Sequence, residues 1–161
     1  MATPALAEKV RIVPGTVDRL DAVMAVMDGA FGDKFGEAWT RSQLSGILPL
    51  AGVFLITALD RATECVVGFS LFRTVADESE LLLIAVLPSE QRSGVGTLLL
   101  EDFIDRARKD GANRVHLEVR DGNPAIEMYR AAGFSPVGRR RNYYHAISGK
   151  RYDAITLAYS L

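Results

Sequence analysis

The feature that most constrains the fold is a strand, a glycine-containing loop and a helix that follow one another from Ser79 to Gly111. Leu81 to Leu87 is a short aliphatic run that stops at Pro88, which predicts a strand buried on both faces in the middle of an α/β sheet. After the loop, apolar residues recur at helical spacing and predict an amphipathic helix of about four turns. These residues are Val95, Leu98, Leu99, Phe103 and Ala107.

The loop between this strand and helix has the sequence QRSGVG, residues 91–96. The N-terminus of a helix has unpaired N–H groups and a partial positive charge, so it binds anions well. Gly94 and Gly96 lack the Cβ atoms that would keep a phosphate away from the backbone. The loop therefore predicts a pyrophosphate site. The alternative is a tight strand-to-helix turn that needs glycine for its geometry alone.

Two common phosphate-binding motifs are excluded by the residues that follow the loop. A P-loop has a lysine after its last glycine, whereas Thr97 follows Gly96 in this chain. The dinucleotide-binding fingerprint needs a third glycine, whereas Leu99 occupies that position. An anion site in this loop is therefore of another kind.

Length, charge and cysteine content limit the class of protein. The 161 residues suggest one domain, 1–161, and the net charge of −1 argues against a nucleic-acid-binding module. Cys65 is the only cysteine, which excludes an internal disulfide and fits a reducing cytoplasm. No run of about 18 apolar residues suggests a membrane span, and the first residues lack the apolar core of a signal peptide. His116 and His145 have no partners at metal-ligand spacing, so no metal site is expected.

Hydrophobic periodicity predicts further elements on both sides of the central strand, loop and helix. The expected strands are residues 10–13, 53–59, 66–74, 114–120, 139–144 and 152–159. The expected helices are residues 17–31, 40–48 and 124–132. This order predicts an α/β domain with one mixed sheet of about seven strands and helices on both faces, an arrangement that several α/β folds share.

Three segments resemble one family. They are IAVLPSEQRSGVGTLLL (84–100), LEVRDGNPAIEMYRAAGF (117–134) and RRRNYYHAISGKRYDAITLAY (139–159). The first two resemble the GNAT N-acetyltransferase superfamily, whose acyl-CoA loop is similar to QRSGVG. The third resembles the RimI-type alanine N-acetyltransferases, which modify a ribosomal protein. The resemblance implies the GNAT fold, acetyl-CoA as cosubstrate and transfer of an acetyl group to an amine.

The resemblance also implies which residues contact acetyl-CoA. The implied set combines the end of the central strand, the loop and one asparagine: Ile84, Ala85, Val86, Gln91, Arg92, Ser93, Gly94, Val95, Gly96, Thr97 and Asn123. One departure concerns Asn123, which precedes Tyr129 by six residues where the family usually has seven. Asn123 followed by Pro124 is also a good N-cap and first-turn pair, and this structural role is the alternative.

Glu118 is the candidate general base. In the strand 114–120 the apolar residues share one face, and His116, Glu118 and Arg120 share the other. A carboxylate there is explained either by a solvated face, by an ion pair with Arg120, or by catalysis. The resemblance favours catalysis, since the RimI-type base occupies this position in LEVR.

Tyr129 is the candidate general acid. Its helical spacing with Ala125, Met128 and Ala132 also fits a core aromatic residue. In the family the tyrosine of AIEMYRAAGF protonates the departing thiolate, and a phenol with a pKa of about 10 can do so for a thiol of about 8.5.

The expected function is thus acetyl transfer to the N-terminal alanine amine of a ribosomal protein. The alternatives are a GNAT enzyme acting on a small amine or a lysine, and a non-catalytic acyl-CoA-binding module. Arg139, Arg140 and Arg141 with Tyr143 and Tyr144 suggest a nucleic-acid contact when taken alone, but the resemblance places this segment beside the acceptor. Neither nucleic acid nor a membrane is an expected partner.

Overall fold

The computed structural model describes residues 3–161, which form one mixed sheet with helices on both faces. Its strands are β1 (Val10–Pro14), β2 (Val53–Asp60), β3 (Val66–Val75), β4 (Glu78–Val86), β5 (Arg114–Arg120), β6 (Ser135–His145) and β7 (Arg151–Ser160). Its α-helices are α1 (Pro4–Lys9), α2 (Leu20–Phe31), α3 (Arg41–Ile47), α4 (Val95–Lys109) and α5 (Ala125–Ala131). The predicted mixed sheet of about seven strands is confirmed.

The strand order across the sheet is β1-β2-β3-β4-β5-β7-β6. The first four strands form an antiparallel meander, and α4 crosses over to place β5 parallel to β4. The last two strands are antiparallel, and β7 lies between β5 and β6. One core cluster includes the buried face of α4, and the other includes the buried faces of α2 and α3.

Two elements at the start of the chain differ from expectation. The segment expected as one helix over 17–31 is a 3₁₀ turn at Val17–Arg19 followed by α2. Helix α1 was not predicted, because its six residues are too few to show a hydrophobic period. Thr3 caps it by accepting a hydrogen bond from the Leu6 N–H at 3.3 Å.

Strand β4 was expected to be buried on both faces, and this expectation is wrong. Buried and half-buried positions alternate along its whole length. The prediction rested on the aliphatic run, which is typical of strands in the middle of an α/β sheet. Instead β5 pairs only with the first part of β4, and that geometry defines the candidate site.

Candidate active site

Strands β4 and β5 diverge halfway along their length. Their parallel pairing runs from Glu78 opposite Arg114 to Leu81 opposite Leu117, and within residues 3–161 it goes no further. β4 continues along β3 as far as Val86, and β5 continues along β7. The facing backbone groups beyond this point have no sheet partner, so side chains, water or a ligand must satisfy them. The sheet therefore contains an opening between residues 82–86 and 118–120.

A β-bulge lies at the point of divergence. Leu83 pairs with Leu71 and Leu81 pairs with Phe72, so Leu82 is the extra residue on β4. A bulge bends its strand and increases the local twist, which accounts for β4 turning away from β5 here. Ile84, Ala85 and Val86, which the sequence predicted to contact the cofactor, all lie on the diverging part of β4.

The loop after β4 leads directly into α4. Gln91 donates a side-chain hydrogen bond to the Val86 carbonyl at 3.0 Å, and the Ser93 hydroxyl donates to the Glu90 carbonyl at 2.5 Å. These two side chains therefore hold the loop itself. The first turn of α4 receives no side-chain cap from the described residues. Its N–H groups are thus available to an anion.

The Cβ positions of the two loop glycines face other parts of the protein. Gly94 has φ +97°, and a Cβ built on it would lie 3.0 Å from Cδ2 of Leu6 in α1. A Cβ on Gly96 would lie 3.2 Å from Sδ of Met128 in α5. The contact of the two glycines with a phosphate stays a prediction. The glycines allow α1 and α5 to pack closely against the loop, and Gly94 also allows the left-handed backbone.

Glu118 lies on β5 just past the point of divergence, on the strand face that the alternation predicted. Its side chain is 13% exposed, and its Oε1 lies 2.9 Å from Nε of Arg140. Its Oε2 accepts a hydrogen bond from the Thr156 hydroxyl at 3.1 Å. The ion pair considered with Arg120 is wrong, because Arg120 pairs with Glu37 instead.

Tyr144 contacts Glu118, and Tyr129 is a second buried phenol whose pKa is affected by Tyr144. The Tyr144 hydroxyl donates to the backbone carbonyl of Glu118 at 3.4 Å. Tyr129 on α5 is buried, with its ring edge against Phe134, and no hydrogen bond of its hydroxyl is found within residues 3–161. Burial raises the pKa of both phenols well above the usual value of 10, with the Tyr144 phenol adding to the shift of Tyr129 and the Glu37 carboxylate to both. Both hydroxyls therefore remain protonated at neutral pH.

The loop between α2 and α3, residues 32–40, covers the end of β5. Glu37 pairs with Arg120 at 3.1 Å and accepts a hydrogen bond from Nδ2 of Asn123 at 2.9 Å. Asn123 Oδ1 in turn accepts from the Ala125 N–H at 2.9 Å, so the structural alternative for Asn123, a cap at the start of α5, is confirmed. Its contact with the cofactor stays a prediction.

Sequence reasoning missed Glu37 and Thr156 as neighbours of the predicted site, and it did not pair Arg140 with Glu118. Glu37 lies in a loop without hydrophobic periodicity. Arg140 and Thr156 come close to Glu118 only because β6, β7 and β5 pair in the sheet. For Arg140, the run Arg139-Arg140-Arg141 was the available sequence signal. The position of this run beside the acceptor was implied only by the resemblance to the family.

Neither histidine joins a metal-binding group. In the described part of the chain, no set of three or more His, Cys, Asp and Glu side chains is arranged to bind a metal ion. The Nδ1 atom of His116 lies 3.7 Å from Oε2 of Glu78, and its Nε2 atom lies 3.9 Å from Oε2 of Glu80. The Nε2 atom of His145 lies 2.9 Å from the carbonyl oxygen of Asn142. None of the helices over residues 3–161 has the length and hydropathy needed to span a membrane.

Comparison with known proteins gives consistent matches. The family model described as "Acetyltransferase (GNAT) family" matches residues 21–134. A "[Ribosomal protein bS18]-alanine N-acetyltransferase" of Haemophilus influenzae is 41% identical over 93 residues, 58% of this chain and 64% of the relative. The protein of the same name from Escherichia coli K12 is 45% identical over 92 residues, 56% of this chain and 62% of the relative. These two sequence matches thus span less than two thirds of each relative.

A solved structure matches over nearly the whole chain. The crystal structure of the ribosomal-protein-S18-alanine N-acetyltransferase from Escherichia coli has a TM-score of 0.83 and 30% sequence identity. The superposition covers 94% of this chain and 93% of that protein. The GNAT fold expected from the sequence is therefore confirmed, and the chain belongs to the GNAT family of acetyltransferases.

Proposed function

We propose that this protein is an acetyl-CoA-dependent N-acetyltransferase that acts on a protein N-terminal amine. By similarity to the relatives named above, the acceptor is the N-terminal alanine of a ribosomal protein. The observation that carries the proposal is the position of Glu118 and the protonated Tyr144 phenol beside the opening between β4 and β5, with the protonated Tyr129 phenol on α5 as the proposed acid. A carboxylate and protonated hydroxyl groups at one site are what amide formation from a thioester requires.

The opening and the adjacent loop suit acetyl-CoA as a substrate. The uncapped first turn of α4 offers N–H donors to the pyrophosphate, with Val95, Gly96 and Thr97 at that turn and the exposed Arg92 just before it. Apart from the Val86 carbonyl, which accepts from Gln91, the backbone groups of residues 84–86 that lack a sheet partner offer hydrogen bonds to the pantetheine arm and the thioester carbonyl. Acetyl-CoA supplies an activated acetyl group, and this chain supplies its orientation.

Glu118 takes the proton from the acceptor. An α-amino group has a pKa of about 8 and arrives mostly as a cation, whereas the attacking nitrogen must be neutral. A carboxylate at Glu118 first pairs with this cation and then accepts its proton, directly or through water. A lysine amine, with a pKa of about 10.4, would lose its proton less readily, so the same base suits an N-terminal amine better.

Tyr129 acts on the leaving group. When the amine nitrogen bonds to the carbonyl carbon and the C–S bond breaks, negative charge develops on sulfur. The Tyr129 hydroxyl is protonated, and no partner in the described structure occupies it, so it can donate to this sulfur. Its position next to Met128, which contacts Gly96 of the loop, ties the donor to the segment that holds acetyl-CoA.

The experiment that tests the proposal measures acetyl-CoA consumption with a panel of acceptors. The panel contains a peptide that begins with alanine, the same peptide with a blocked N-terminus, a lysine-containing peptide with a blocked N-terminus, and small amines. Turnover with the free N-terminus and none with its blocked form is the expected result. Turnover only with small amines contradicts the acceptor assignment but keeps acetyl transfer. Acetyl-CoA binding without turnover of any amine contradicts the proposed activity.

A further inference from the structure

Adjacent arginines on β6 are held in different ways. Arg139 donates to two carboxylates, Asp121 at 2.8 Å and Asp153 at 3.0 Å. Arg140 has a single ion-pair partner within residues 3–161, which is Glu118. Neighbouring residues of a strand point to opposite faces, so the two side chains serve different sites. Arg139 stabilises the strand ends, whereas Arg140 contacts the candidate base.

Arg140 occupies the one carboxylate oxygen of Glu118 that the rest of the sheet leaves open. Thr156 on β7 donates to Oε2, and Arg140 lies at Oε1. A cationic acceptor amine that approaches Glu118 therefore meets a guanidinium already in place. The Arg140 guanidinium and the ammonium group of the acceptor compete for the same carboxylate oxygen, and their like charges repel.

The solvent exposure of Arg140 allows its side chain to dissociate from the ion pair. The Arg140 side chain is 64% exposed although Glu118 is only 13% exposed, so the guanidinium moves into water without crossing the protein interior. Ion pairs with an exposed partner are weak, because solvent screens them and the long side chain loses rotamer freedom. The Tyr143 ring, 5.6 Å from the Arg140 guanidinium carbon, offers a second contact outside the pair.

We propose that Arg140 is an exchangeable counter-ion of Glu118, which the ammonium group of the acceptor displaces on binding. Arg140 thereby sets acceptor affinity, as a positioning residue that acts through Glu118. The inference rests on the proposed function, since it assigns a new residue to the same site. It predicts that acceptor binding and the loss of the Arg140–Glu118 pair are one event.

Other charged and titratable groups around Glu118 are accounted for. Tyr144 contacts the Glu118 backbone carbonyl and remains protonated. Arg120, on the same strand, is held by Glu37 in a separate buried pair. Arg140 is therefore the cation whose removal changes the charge next to the carboxylate.

The test compares Arg140→Gln with the wild type in acceptor kinetics at several salt concentrations. Without the competing cation, KM for a peptide with a free N-terminus falls about two- to fivefold at unchanged kcat, the range expected for an exposed ion pair. Because the competition is between charges, the difference in KM between the two proteins should shrink as the salt concentration rises. Arg141→Gln is the matched control, because it removes the same charge from an exposed position with no ion pair in the described structure.

A second readout does not depend on turnover. Calorimetry with CoA bound to the protein is expected to show that the peptide with a free N-terminus binds Arg140→Gln more tightly than the wild type. The N-terminally blocked peptide, which carries no ammonium group, is expected to bind both proteins equally.

The outcomes separate this inference from the proposed function. An unchanged or raised KM together with unchanged peptide affinity in Arg140→Gln overturns the counter-ion role while wild-type turnover stands. Absence of wild-type turnover overturns the proposed function, and calorimetry still decides whether Arg140 competes with the free N-terminus of the peptide. An Arg140→Lys protein, which keeps the cation, is expected to retain the wild-type peptide affinity. A peptide affinity equal to that of Arg140→Gln also contradicts the inference.

Discussion

The Glu37 carboxylate and the Arg120 guanidinium form an ion pair of 3.1 Å in which the two side chains are only 10% and 8% exposed. The Phe35 ring covers the guanidinium, with 3.6 Å between its centroid and the Arg120 Cζ atom. Asn123 donates to the second oxygen of Glu37. The pair joins the loop 32–40 to the end of β5 and to the start of α5, so three segments that border the candidate site are held as one unit.

Removing one partner of this pair is expected to be costly. Arg120→Met leaves the Glu37 charge buried without its cation and lowers the free energy of unfolding by about 3–5 kcal/mol. Denaturant unfolding measures the change. Arg114→Met is the control, since Arg114 pairs with Glu78 at an exposed position and should contribute less than about 1 kcal/mol. Equal effects of the two substitutions would contradict the importance of burial.

Tyr129→Phe tests whether the Tyr129 hydroxyl takes part in catalysis or whether the residue only packs through its ring. The aromatic ring keeps its contacts, and no hydrogen bond within the described structure is lost, so the melting temperature should stay within a few degrees of wild type. The value of kcat should fall by about 10²- to 10⁴-fold if the hydroxyl donates to the leaving sulfur. Tyr159→Phe, in the same aromatic cluster, is the control and should retain activity. Full activity of Tyr129→Phe would remove Tyr129 from the mechanism.

Glu118→Gln preserves size and a hydrogen bond with Thr156 but cannot accept the proton of the acceptor. We expect kcat/KM to fall by about 10²- to 10⁴-fold and the acidic limb of its pH profile to disappear. Steady-state kinetics from pH 5 to 9, with the free-N-terminus peptide, measure both. Glu80→Gln, on β4 and paired with Arg73, is the comparison that removes a charge elsewhere. A wild-type pH profile for Glu118→Gln rules out its role as base.

The buried phenols make the protein sensitive to alkali. Burial raises the pKa of Tyr129 and Tyr144 in the folded state, so above about pH 10 the unfolded chain loses phenolic protons that the folded chain keeps. The free energy of unfolding should therefore be unaffected by these groups below pH 10 and fall as the pH rises above it. Tyr129→Phe should make this fall shallower, because it removes one of the two buried phenols. Urea titrations between pH 8 and 11 measure the slopes.

Gly94→Ala tests whether α1 positions the anion-binding loop. An alanine there has an unfavourable φ of +97°, which costs about 1–2 kcal/mol, and its Cβ meets Leu6 at 3.0 Å. We expect acetyl-CoA affinity, measured by calorimetry, to fall about tenfold as the loop shifts, since one misplaced hydrogen-bond donor costs about this much. Gly111→Ala is the matched control, because φ there is +88° and nothing lies within 4 Å of its Cβ.

The double substitution Leu6→Ala with Gly94→Ala distinguishes contact from backbone strain. It removes the side chain that the new Cβ meets and leaves the strained φ in place. Recovery of part of the affinity is expected if the contact with α1 displaces the loop. If the double substitution recovers no acetyl-CoA affinity, and Gly94→Ala and Gly111→Ala lose equal affinity, the effect is due to backbone strain alone.

Local signals in the chain were sufficient for most of the secondary structure. Helix α4 and strand β5 follow their hydrophobic periods, and the predicted bounds of β5 are those observed. The period could not reveal α1, which is too short, or the bulge at Leu82, which has no glycine or proline to mark it. The glycines of the loop were found from their spacing, but their packing against α1 and α5 requires the folded chain.

The sequence by itself determined the order of the elements, the loop at the start of α4 and the face of β5 that carries Glu118, because these depend on neighbours within a few residues. Only the tertiary structure decided that β4 and β5 diverge, that Glu37 pairs with Arg120 across 83 positions of sequence, and that Arg140 reaches Glu118. Charges of opposite sign occur throughout the chain, and no local pattern tells which will be buried together. That choice follows from strand pairing and loop packing, which bring distant residues to the same opening in the sheet.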